Sequence, residues 1–174
     1  MPEPFELSSR QADALAYWQT LSRHRAGLPG RADIDPVAMK GFLPWVTLVD
    51  IVDPGESPRY RARLVGTAVV ERHGRDVTGK FDDELYGPTY LEQLRAVYRR
   101  VAERRRPILV NCLVENDDRE DLHYRRLVLP LASDSERVDM LLAVFDYGEG
   151  GSPEAGTLPN GRSRWELIEL GAED

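Results

Sequence analysis

Apolar and polar positions alternate most sharply between Arg59 and Val65, where Tyr60, Ala62 and Leu64 fall on one side of an extended segment and Arg59, Arg61 and Arg63 on the other. That period predicts a half-buried strand. Gly66-Thr67 interrupts it; Thr67 is placed to cap a short helix over Ala68–His73, Gly74 supplies its stop, and Asp76–Lys80 reads as a turn. The strongest helical period lies further on. Tyr90, Leu91, Leu94, Val97, Tyr98, Val101 and Ala102 form one stripe between Pro88, suited to a first helical turn, and Pro107, which closes the segment. This is the longest predicted helix, and its stripe must bury against a sheet or another helix.

The remaining segments complete an α+β pattern. Ser8 or Ser9 caps a helix to about His24, with Ala12, Leu15, Ala16, Trp18 and Leu21 on its apolar face and Tyr17 at the margin. Gly27–Gly30 ends it, Asp35-Pro36 opens a short helix to about Gly41, and Leu43-Pro44 precedes a strand over Trp45–Val52. The Asp53–Pro58 turn leads into the Arg59–Val65 strand as a hairpin, and Phe81–Tyr86 reads as a single helical turn. After the long helix come strands over Ile108–Glu115, Leu122–Leu131 and Arg137–Tyr147, with polar loops at 116–121 and 132–136. Both faces of the last strand are apolar: Val138, Met140, Leu142 and Val144 on one, Leu141, Ala143 and Phe145 on the other. The sheet's second face is therefore covered by the N-terminal helix, by a second subunit, or by both. The chain divides into a helical extension (1–44), a core (45–147) and a Gly/Ser/Pro-rich linker with a short docking segment at Trp165–Leu170 (148–174).

Composition narrows the function classes. A chain of 174 residues, 41% hydrophobic and 30% charged, is an ordinary single soluble domain with extensions. No apolar run approaches the ~20 residues of a membrane span, and the acidic, apolar-poor start does not read as a secretory signal. A net charge of −7 opposes nonspecific nucleic-acid binding. The only cysteine, Cys112, excludes an internal disulfide and suits a reducing cytoplasm.

The strand, the Gly66-Thr67 break, the short helix ending at Gly74 and the Thr78-Gly79-Lys80 turn resemble the core of PAS domains, most closely the alphaproteobacterial PAS_5 family. Tyr17-Trp18, Leu28–Pro36 and Leu43-Pro44 agree with it. The resemblance implies a five-stranded antiparallel sheet of order 2-1-5-4-3, with the helical crossover on one face and the N-terminal helix covering the other or pairing two subunits. It also implies a cavity between sheet and long helix. The candidate lining is Leu64, Val70, Phe81, Leu85, Tyr90, Leu94, Val97 and Tyr98, the two tyrosines offering polar tips; any one of the eight taken singly reads more readily as core.

Candidate chemistry is sparse. His24, His73 and His123 show no metal-ligand spacing. Haem-binding PAS proteins commonly draw their iron ligand from the long helix, and Pro88–Arg106 holds no histidine, which disfavours haem. Cys112 lacks the Gly-x-Asn-Cys-Arg-Phe-Leu context of light-sensing flavin PAS domains, which disfavours photoactive flavin; the residue reads as a small buried apolar group. The identity of any cofactor stays open. Arg95, Arg99, Arg100, Arg104, Arg105 and Arg106 form either an anion-binding patch or a solvated helix face complementing the helix dipole. No nucleophile elbow, phosphate loop, zinc motif or acid pair appears. The expectation is a cytoplasmic bacterial sensory or regulatory module, not an enzyme, that binds a small molecule, a signalling protein partner, or both, and forms a homodimer through the N-terminal helix and outer sheet face. The alternatives are a ligand-free interaction adapter and, less favoured, a small enzyme using the concave pocket.

Overall fold

The computed structural model describes residues 6–53, 55–115, 122–148 and 162–171. The N-terminal helix α1 (Ser9–Arg25) is followed by two short 3-10 turns, the hairpin β1 (Val46–Val52) and β2 (Arg59–Val65), and the crossover helices α2 (Thr67–His73), α3 (Asp82–Leu85) and α4 (Pro88–Arg104). Three strands follow, β3 (Ile108–Glu115), β4 (Leu122–Leu131) and β5 (Met140–Asp146), and then β6 (Arg162–Glu169). All pair antiparallel in one sheet of order β2-β1-β5-β4-β3-β6. The expected order 2-1-5-4-3 is thus present and extended by one strand. The Trp165–Leu170 segment docks by pairing along β3, with Cys112 opposite Trp165 and Val110 opposite Leu167.

The sheet is buried on both faces, which is why every residue of β5 is apolar or paired and buried. On the inner face α4 lays Tyr90, Leu94, Val97, Tyr98 and Val101 against Val49, Tyr60, Val128, Leu141 and Phe145. On the outer face α1 meets Leu48, Leu127, Leu129, Leu142 and Val144 through Ala14, with Leu15, Trp18 and Leu21 beside it. Gln11 does two jobs there. Its amide oxygen accepts from Ser8 N–H in a capping box, while its Nε2 donates to the carbonyls of Arg125 (3.3 Å) and Val144 (3.2 Å). Trp18 Nε1 donates to Pro130 O at 2.8 Å, so the helix is tied to β4 and β5 by polar bonds as well as by packing.

Four expectations change. The short helix expected over residues 35–41 is a run of turns: Met39 N–H bonds Asp35 O, but Lys40 N–H bonds Val37 O three residues back, and Asp35 Oδ1 accepts from Val37 N–H while Met39 and Phe42 anchor the chain in the outer core. Gly66, not Thr67, caps α2. The last core strand begins at Met140, three residues later than Arg137, although Val138 is buried. Finally, β2 carries a bulge. Leu48 pairs with Leu64 but Val49 pairs with Ala62, so Arg63 is an extra residue on that strand. The extra residue inverts the alternation beyond it, turning Leu64 to the outer core and Val65 inward.

Candidate functional site

Between the inner face of the sheet and the crossover helices lies a cavity of about 40 Å³. Its apolar lining is Val49, Ala62, Val65, Val77, Leu85, Leu94 and Phe145; its polar lining is Thr47, Tyr60, His73, Lys80, Asp82, Tyr86, Tyr98 and Arg126. The volume accommodates about three waters, or a solute of a few heavy atoms.

Arg126 sets the chemistry of this space. The parity of β4 turns Arg125 outward, where it pairs with Asp146 at 2.6 Å, and Arg126 inward, opposite Phe145. Arg126 is only 3% exposed. Its Nη2 donates to Tyr90 Oη (3.0 Å) and Tyr124 Oη (3.4 Å), and its Nη1 to Tyr98 Oη (3.5 Å). Phe145 lies 4.7 Å from its carbon, with Tyr124 and Trp165 beyond. Among the described residues it has no carboxylate partner, and its Nε makes no hydrogen bond. The one carboxylate of the cavity wall, Asp82, is held by Arg95 at 2.6 and 2.9 Å and accepts from Tyr60 N–H.

The surrounding phenols supply no negative charge. Burial pushes Tyr60 up to about 12 and raises Tyr86, Tyr90, Tyr98, Tyr124 and Tyr147 as well. Burial opposes the charge on Arg126, the nearby oxygens of Tyr90, Tyr124, Tyr98 and Tyr86 favour it, and the net direction is upward. A neutral aromatic shell therefore encloses a protonated guanidinium. Tyr90 and Tyr124 also bond each other through their hydroxyls.

His73, the last residue of α2, points its ring edge at Phe145 and leaves Nδ1 unpartnered. Burial, aided by the charges of Arg126, Arg75 and Arg72, pushes it down to about 4 from 6.5. A depressed folded-state value means the unfolded chain binds more protons between these limits, so folding stability rises with pH through that window and levels off above it. Acidification from pH 7 to 5 is expected to cost about 2 kcal/mol through this residue. The cost should vanish in His73→Gln; urea midpoints that fall equally in both proteins would assign the acid sensitivity elsewhere.

Of the eight residues expected to line the cavity, Leu85, Leu94 and Tyr98 do so. Tyr90 and Val97 are buried in the inner core beside it, Tyr90 as a partner of Arg126. Val70 is half-buried on α2 outside the lining, and Phe81, also outside it, lies beneath the Arg59 guanidinium at 3.8 Å. Leu64 lies on the opposite face, a correction that follows from the bulge at Arg63. The sequence reading missed Arg126 and considered His73 without placing it in the cavity. The signal for Arg126 was present, since it stands at period two between Tyr124 and Val128, both inward-facing.

The arginine cluster is largely engaged within the fold. Arg95 pairs with Asp82 and Asp83, Arg100 and Arg104 approach Glu169 of β6 at 2.7 and 3.8 Å, and Arg105 donates to Ser135 O. Cys112 is fully buried, and burial pushes its thiol up to about 11. Among the described residues no group of His, Cys, Asp and Glu is assembled to hold a metal, and no helix is long and apolar enough to cross a membrane.

The profile of the PAS domain family, PAS_5, matches residues 7–145, most of the chain and its five core strands but for Asp146, the last residue of β5. The chain belongs to the PAS domain family. A search of curated proteins found no match for this PAS domain. Among solved structures it is similar to a variant of RsLOV, at 16% identity and TM-score 0.44 over 63% of this chain and 62% of that one, less than two thirds of its length. The Rhodobacter sphaeroides LOV protein matches at 17% identity and TM-score 0.46, over 70% of this chain and 73% of that one. A fungal LOV domain photoreceptor matches at 11% identity and TM-score 0.42, over 81% and 95%. A flavin or haem does not fit the cavity of this PAS domain as it stands: about 40 Å³ is far below the ~300 Å³ or more of pockets for ligands of that size.

Proposed function

We propose that this PAS domain is a cytoplasmic sensory or regulatory module that binds a small molecule in its inner cavity and passes the occupancy to a signalling protein partner or to a second copy of itself. The observation that carries the reading is a cavity lined by both apolar and polar side chains, two of which, Arg126 and His73, each carry a buried polar atom without a partner. Its roof is the α2–α4 crossover, joined to the sheet by the bond from Tyr60 N–H to Asp82, which Arg95 of α4 also holds, and by the bond from Gly79 N–H to Ala62 O. A ligand that favours one packing of this crossover shifts its population relative to the sheet; one indifferent to both packings transmits nothing. Dimerisation through the exposed side of α1 is part of the same proposal.

We read the domain as non-catalytic. Proton transfer near neutrality needs groups tuned close to pH 7, whereas His73 is displaced to about 4, Cys112 to about 11 and Tyr60 to about 12. The small cavity volume favours one competitor, a ligand-free interaction adapter whose interior is filled by its own side chains.

Native mass spectrometry of the gently purified chain separates these readings. Wild type and Arg99→Ala are expected to retain a co-purifying small mass that Tyr98→Ala loses. Greater loss in Arg99→Ala would move the site to the outer side of α4, and bare mass in all three would favour the adapter.

A further inference from the structure

We propose that the cavity selects a short-chain carboxylate, with Arg126 as the group that binds it; this inference rests on the sensory reading above and names its ligand class. The first ground is charge. Arg126 is buried in β4 at 3% exposure, bonds only to neutral tyrosine hydroxyls and has no acidic partner among the described residues. A guanidinium so placed has lost its water without gaining a counter-charge, an arrangement retained at a cost unless an anion joins it. The second ground is the free donor. Nε is unbonded and Nη1 makes one bond of its two, so two of the five N–H groups of the guanidinium remain to donate to a carboxylate.

Shape narrows the class further. The apolar part of the lining, which includes Val49, Ala62, Val65 and Leu94, suits an alkyl end, and the other cation of the lining, Lys80, is engaged by Glu84 at 3.7 Å. About 40 Å³ holds roughly four heavy atoms, the size of acetate. An inorganic oxyanion would leave the apolar lining without a partner, and a dicarboxylate, with more heavy atoms than the roughly four the space holds, is too large for it. His73, neutral and unpartnered at Nδ1, stands in the polar lining and can hydrogen-bond the same ligand without adding charge.

The test is a titration of the full chain followed by amide chemical shifts, with acetate as the probe and acetamide as its neutral counterpart. Acetate is expected to shift the amides of Val49, Ala62, Leu94 and Tyr98 saturably, with acetamide weaker by about tenfold or more. Arg126→Met should abolish the acetate response, Arg126→Lys should keep part of it, and Arg125→Met, altered on the opposite face, should leave it intact. The Lys variant also guards against misreading a folding defect in the Met variant. If acetamide matches acetate, or acetate acts equally on Arg126→Met, the carboxylate assignment falls. If acetate leaves those amides unmoved while the purified chain carries a neutral small mass, the assignment falls and the sensory cavity stands. If there is neither response nor bound mass, both fall.

Discussion

Arg126→Met is expected to make the anion-free protein more stable, by about 1–3 kcal/mol, and to raise its thermal midpoint by about 5 °C. Most substitutions of a buried residue that makes three hydrogen bonds destabilise, so the sign is the informative part. The bonds lost are long, at 3.0, 3.4 and 3.5 Å, and two of their acceptors, Tyr90 and Tyr124, keep each other as partners. The gain is relief from a buried charge that no carboxylate compensates. Methionine retains most of the length of the side chain, and its sulfur suits the aromatic shell of Phe145, Tyr124 and Trp165. Linkage supplies the companion result: acetate should raise the midpoint of wild type and leave that of the variant in place. Calorimetry showing the variant less stable by more than about 2 kcal/mol would make Arg126 a structural keystone of the inner core.

Gly66→Ala, at a buried glycine, is expected to be among the most damaging single changes at the start of the crossover, costing about 3 kcal/mol or more in urea unfolding. The backbone at Gly66 has φ −65° and ψ 152°, which alanine adopts freely, so conformational strain is not the cause. The obstacle is contact. A Cβ at this position would stand 2.3 Å from Pro44 O, 2.6 Å from Pro44 C and 2.7 Å from Leu43 O, all backbone atoms that no side-chain rotation can clear. Gly66 also donates its N–H to Val46 O at 2.8 Å, so α2 cannot retreat without breaking a bond of the sheet edge. Gly79→Ala is the matched control: its φ of +85° imposes strain but nothing lies within 4 Å, and about 1–2 kcal/mol is expected. Equal costs at the two glycines would refute the close-approach explanation.

The sheet and its two packed helices were legible because their periods are imposed by burial. Tyr90, Leu94, Val97, Tyr98 and Val101 had one face available, and β5 had two. The bulge was not legible, since Arg63 and Leu64 continue an unbroken alternation in sequence and the extra residue shows only against the partner residues Leu48 and Val49. The sixth strand escaped for a similar reason: Arg162–Glu169 mixes charges on both sides and becomes a strand because the β3 edge offers unpaired backbone groups. For the site, the reading drew its lining from the helix that carried the clearest stripe. It thus found Leu94 and Tyr98 and passed over a strand whose parity placed an arginine between Tyr124 and Val128. Charge overrode parity there, because an arginine in a strand is ordinarily a solvent residue.

The two carbonyls that receive Gln11 Nε2 belong to residues 114 and 133 positions further along the chain, and the one that receives Trp18 Nε1 lies 112 positions further. During synthesis α1 is therefore made first and seated last. Until β4 and β5 have emerged and paired, Ala14, Leu15, Trp18 and Leu21 have no sheet to cover, and the outer face of the growing sheet must form before the helix can return to it. A ribosome-bound nascent chain ending before residue 144 should leave α1 open to proteases and to holdase chaperones, and release of the full chain should close that window.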